Sequence, residues 1–146
     1  MLDLGPPLAA NVQYLAALSC RVRIADLHRS FSVESVESRR PEAVGALFDR
    51  LLPLAPGERF DGILAWDVFD YMRPDQVTAL MTRLTPACGP EAPVLVLAST
   101  EREIPAAPLR YRILDPENLA CDGPAEPTRP WPRSTQPRCR RMLGGL

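Results

Sequence analysis

The chain has 146 residues and a mass of 16.1 kDa, the size of a single domain. Its 17 basic and 18 acidic residues leave a formal net charge of -1, which argues against nucleic-acid binding, because that calls for a basic excess. Every basic residue is arginine, so a Schiff-base lysine or a phosphate-loop lysine is excluded.

The first predicted element is a short strand at Met1-Leu2-Asp3-Leu4, ended by Gly5-Pro6-Pro7. Buried strands are rarely so brief, so the chain is expected to begin later than its relatives do. Apolar residues at Leu8, Val12, Leu15, Ala16 and Leu18 recur at a helical period. Residues 20–25 alternate as a strand that ends at Asp26, and residues 27–40 read as a polar loop. Pro41-Glu42 opens a helix, with proline at its favoured first position and Val44, Leu47, Phe48, Leu51 and Leu52 on one face. Pro53 and Pro56-Gly57 stop it.

Residues 60–66 form a buried strand ending at Asp67, and Arg73-Pro74-Asp75 opens another helix with a stripe of Val77, Leu80, Met81 and Leu84. Val94-Leu95-Val96-Leu97-Ala98 is the most apolar run, the kind buried on both faces of a sheet. The alternation predicts an α/β fold, a mostly parallel sheet with helices on both faces and right-handed crossovers. Residues 1–99 would be this core. Residues 100–146 would be an irregular extension rich in proline and arginine. It has a strand-like patch at 109–114 and a short helix at 136–143 closed by Gly144-Gly145. Five arginines after Pro127 are either a solvated segment or a binding surface for phosphate or carboxylate.

The cysteines Cys20, Cys88, Cys121 and Cys139 show no C-x-x-C spacing, and His28 is the only histidine, so no metal site is expected. Four reduced thiols, no signal peptide and no apolar run near the ~20 residues of a membrane span point to a cytoplasmic chain without a membrane partner. His28, beside Arg29 on a polar stretch, offers little for a nucleophilic triad.

In an open parallel sheet, ligands bind outside the carboxyl ends of the strands. Those ends carry Asp3-Leu4-Gly5, Asp26-Leu27-His28, Trp66-Asp67-Val68-Phe69-Asp70-Tyr71 and Ser99-Thr100-Glu101. Asp26 follows Gly5 by 21 residues, the spacing at which a carboxylate reaches a ribose diol. A capping role for Asp26 is the alternative. Pro6 and Pro7 remove two amide donors from the turn, which counts against a pyrophosphate, and less against a ligand without phosphates.

These residues resemble a known family. Met1-Leu2-Asp3-Leu4-Gly5 is similar to the V-L-D-L-G opening of class I S-adenosylmethionine-dependent methyltransferases. Ile24-Ala25-Asp26 resembles their second strand and its ribose-binding acid. The run from Phe60 to Met72 resembles their fourth strand, F-D-x-V-x-x-x-D/N-V-L-x-Y/H-L. The resemblance implies a Rossmann-like core that binds S-adenosylmethionine through Asp3, Gly5, Asp26, Leu27, Trp66 and Asp67. It implies that Asp67 and Tyr71 face an unidentified methyl acceptor, a small molecule or a protein side chain. Packing is the alternative for Trp66 and Tyr71, and helix capping for Asp67 and Asp70.

The second and third family glycines are missing, no strand is visible between Asp26 and Phe60, and the final antiparallel hairpin is absent. The strand at 94–98 would then be an open edge that favours homo-oligomers, unless the patch at 109–114 covers it. A degenerate, non-catalytic relative or truncated product serving as an interaction module is therefore a second expectation. A nucleotide-binding oxidoreductase domain is a third, disfavoured by Pro6-Pro7.

Overall fold

The computed structural model describes residues 1–33, 40–123 and 128–130. The helix expected at 136–143 lies outside them, as does the arginine-rich end beyond residue 130. Four strands form one parallel sheet: β1 Leu2–Asp3, β2 Arg23–Ile24, β3 Ile63–Trp66 and β4 Val94–Val96, in the order β2-β1-β3-β4. Leu2 stands opposite both Arg23 and Ile63, and Ile63 opposite Val94. β1 is central although it has two residues. Backbone bonds extend its pairing past its end, from Leu4 N to Leu64 O (2.9 Å) and from Leu27 N to Leu4 O (2.9 Å).

Helices α1 Ala9–Ala17, α2 Leu27–Val33, α3 Pro41–Leu51 and α4 Pro74–Leu84 flank the sheet. Side chains alternate across it, as the pleat requires. Leu2, Leu4, Ile63 and Ala65 meet Val44, Phe48 and Leu52 of the α3 region and Val77, Leu80 and Leu84 of α4. Leu64 and Trp66 turn the other way, towards Leu15 of α1. α4 starts at proline, and the Gln76 carboxamide oxygen accepts the Arg73 N–H at 2.8 Å to close its first turn.

Three expectations are corrected. Residues 27–33 are a helix, not a loop. The Asp26 carboxylate accepts the Arg29 N–H at 3.2 Å, a first-turn cap, and Leu27 anchors the turn in the core at 0% exposure. The strand at 94–98 is shorter and is not buried on both faces: among the described residues β4 is an edge paired only with β3, and Leu95 is 38% exposed. Residues 101–123 and 128–130 are not irregular. β5 Glu103–Pro105 pairs with β8 Thr128–Pro130, and β6 Arg110–Ile113 pairs with β7 Leu119–Asp122, both antiparallel. β6 does not pair with β4. It lies over α1, where the Asn11 carboxamide donates to Tyr111 O and accepts from Ile113 N, both at 2.8 Å. No helix among the described residues is long and apolar enough to cross a membrane.

Phe48 is fully buried, whereas Leu51 on the same helix is only half-buried. Phe48→Ala should cost about 3–5 kcal/mol in urea unfolding, and Leu51→Ala clearly less than Leu52→Ala. Equal losses for Leu51 and Leu52 would contradict this packing.

Candidate functional site

The chain passes from β1 outward to β2, then crosses back to β3 on the other side of β1. The winding reverses there, and the rim outside the carboxyl ends of β1 and β3 is the switch point where such sheets hold ligands. Asp3, at the end of β1, is 2% exposed. Its Oδ1 accepts the Gly5 N–H at 2.8 Å and the Trp66 Nε1–H at 2.7 Å. Burial pushes its carboxyl above the usual range, and these two donors oppose the shift.

Trp66 ends β3 with φ +52°, a left-handed conformation that a bulky residue holds only when its surroundings demand it. Here the bond to Asp3 and a parallel stack on Tyr111, centroids 5.8 Å apart, supply that demand. The indole lies against Gly5: a Cβ there would stand 2.6 Å from Trp66 Cδ1. Any side chain at residue 5 would therefore force the indole aside, and the crevice between β1 and β3 is filled by the chain's own indole, 2% exposed.

Asp67 follows in the chain and is 5% exposed. Its Oδ2 accepts the Leu109 N–H at 2.9 Å, and its Oδ1 lies 3.3 Å from His28 Nε2. Burial raises the Asp67 carboxyl to about 6 and lowers His28 to about 4. Near neutrality the pair is a carboxylate facing a neutral imidazole, and on acidification Asp67 takes a proton before His28 does. Next along, Asp70 Oδ2 accepts the Ser99 N–H at 2.7 Å, and the Tyr71 hydroxyl donates to Ala107 O at 3.0 Å. Asp67 and Tyr71 thus clamp the strap of residues 107–109 across the rim. They also line a small cavity of about 190 Å³ with Asp70, Ser99 and Tyr111.

On the β2 side of the Gly5 turn lies an open hollow of about 420 Å³. Its walls are Pro6, Pro7 and Leu8 from the turn, Asp26, His28 and Arg29 from the end of β2, and Ala107, Pro108 and Arg110 from the strap. Asp26 adopts φ +42° and caps α2 through Oδ1, which leaves Oδ2 without a hydrogen bond among the described residues.

Asp3, Gly5, Trp66 and Asp67 therefore meet at one rim, with Asp26 beside them at the hollow. Leu27 does not reach it, because its side chain is in the core and its N–H bonds Leu4 O. His28, expected on a polar stretch with little to offer a triad, is instead 7% exposed and faces Asp67. Its signal was position, two residues past the acid that ends β2. Among the described residues no three His, Cys, Asp or Glu side chains are grouped to hold a metal ion. No family model, no curated protein and no solved structure matches this chain.

The buried pair sets two opposing pH dependences. The raised Asp67 favours the fold at low pH, a benefit lost as pH rises through about 6. The lowered His28 favours the fold at neutral pH, a benefit lost as pH falls through about 4. In the intact chain the slopes offset each other. With His28→Gln, stability should fall as pH rises from 4 to 6; with Asp67→Asn it should rise, in each case by at most about 1.4 kcal/mol per pH unit. Parallel unfolding profiles for both variants would contradict this. Gly5→Ala should cost about 1–3 kcal/mol by driving the indole off Asp3, with a shift in tryptophan emission; an unperturbed spectrum and stability would count against the packed crevice.

Proposed function

We propose that this chain is a Rossmann-like, S-adenosylmethionine-dependent methyltransferase domain that holds the nucleoside half of its cofactor beside Asp26. The observation that carries this is the gathering of Asp3, Gly5, Asp26 and Asp67 at the carboxyl ends of three adjacent parallel strands, at the switch point. The strand order supports it: it corresponds to the inner strands 2-1-4-5 of the doubly wound order 3-2-1-4-5-6. Among the described residues, the ribbons formed by β5 to β8 stand outside that sheet.

The fit is different for the two halves of the cofactor. An ionised carboxylate only accepts, and a ribose diol offers two donors, so Asp26 suits a nucleoside in a hollow whose volume lies within the ~300–1,000 Å³ of ligand pockets. The Gly5 turn does not suit an amino-acid carboxylate: its N–H is held by Asp3, Pro6 and Pro7 have none, and the indole covers it. Bound S-adenosylmethionine supplies an electrophilic methyl group on a sulfonium. The protein's part is to hold acceptor and methyl in line, which can contribute about 7–11 kcal/mol in favourable cases. Asp67, with its carboxyl near 6 and His28 beside it, is suited to take a proton from a small-molecule or side-chain acceptor. Tyr71 orients the strap that borders that place.

One observation favours a second reading, a non-catalytic binding module: Trp66 fills the crevice in which the methionine half would lie in the family. Calorimetric titration with S-adenosylhomocysteine tests the proposal. Binding should be measurable, and Asp26→Asn, which tolerates the left-handed backbone, should weaken it about 10- to 100-fold, the equivalent of about 1.5–3 kcal/mol. Undiminished binding in that variant removes the ribose assignment. Binding without transfer from labelled S-adenosylmethionine to any acceptor leaves the module reading.

A further inference from the structure

We propose that the hollow beside Asp26 is a site for a nucleoside with an anionic substituent, and that Arg110, not the glycine turn, receives the anion. This rests on the nucleoside reading above and adds where the charged end goes. The turn is closed to an anion on three counts. The Gly5 N–H is spent on Asp3, Pro6 and Pro7 have no N–H, and the buried Asp3 carboxylate stands immediately behind and would repel negative charge. The anion therefore has to face another wall of the hollow.

The strap supplies that wall. Successive residues of a strand face opposite ways. Tyr111 stacks on Trp66, so its neighbour Arg110 turns away from the crevice and lines the hollow with Asp26. The backbone around Arg110 is fixed on both sides, by Leu109 N–H on Asp67 and by Tyr111 O on Asn11. The acid across the ladder, Asp122, is engaged by Arg112 (Nε to Oδ2, 2.7 Å) and feels the Arg110 charge as well, while the Arg110 side chain makes no hydrogen bond or close ion pair among the described residues. One wall thus carries an acceptor for hydroxyl groups and another a guanidinium suited to carboxylate or phosphate, with proline rings between them.

Carboxylate and phosphate share this chemistry, and calorimetry on the full chain with adenosine, S-adenosylhomocysteine and adenosine monophosphate separates them. Asp26→Asn should weaken all three. Arg110→Gln should weaken the anionic probes about tenfold and leave adenosine unchanged, with Arg110→Lys intermediate. Loss confined to S-adenosylhomocysteine identifies the anion as an amino-acid carboxylate; loss confined to the monophosphate identifies a phosphate. Adenosine binding with Arg110→Gln equal to the unaltered chain for every probe overturns the anion site and spares the nucleoside reading. Equal weakening of adenosine and the anionic probes reduces Arg110 to a structural part and overturns it too. No binding of any probe overturns both.

Discussion

One buried carboxylate organises the rim of this protein. Asp3 ends the central strand, and a single oxygen of its side chain accepts both the Gly5 N–H and the Trp66 indole N–H. A buried carboxylate is costly to desolvate unless donors surround it, and here the donors come from the turn after β1 and from the end of β3. The bond therefore joins two neighbouring strand ends. It also draws Trp66 into a left-handed backbone that an indole would otherwise avoid. A Cβ at residue 5 would push the ring off this bond.

That arrangement divides the rim in two. On the β3 side the crevice is filled by stacked Trp66 and Tyr111. On the β2 side the same turn leaves a hollow, because two prolines form a low wall with no donors to pair. The strap of residues 107–110 runs between the two parts, clamped by Asp67 and Tyr71 through its backbone. The groups that the family resemblance assigns to methyl transfer thus also anchor the chain's own return path. The strap residues Ala107 and Pro108 that these side chains hold also wall the hollow.

The central fold was legible because apolar periodicity carries it. The strand runs before Asp26 and Asp67, and the stripes of α3 and α4, follow from residue spacing alone, and strand ends are where acids stood. The α2 helix was not legible: Leu27 anchors its first turn in the core, and its start depends on a cap made by Asp26. His28 read as part of a polar stretch for the same reason, since the Asp67 it faces lies 39 positions away in β3's extension. The direction of the Trp66 side chain depends on a positive φ that no sequence pattern signals. The short ribbons formed by β5, β7 and β8 carry little apolar alternation, and Leu95 looked buried because an apolar run does not reveal whether anything covers it.

An amide NMR titration of the full chain with S-adenosylhomocysteine tests the division of the rim most directly. Shifts should cluster at Asp26, His28, Arg29, Leu109 and Arg110, while the Trp66 indole N–H stays slow to exchange on Asp3. Ligand-induced release of that indole proton, or shifts confined to the amino ends of the strands, would contradict it.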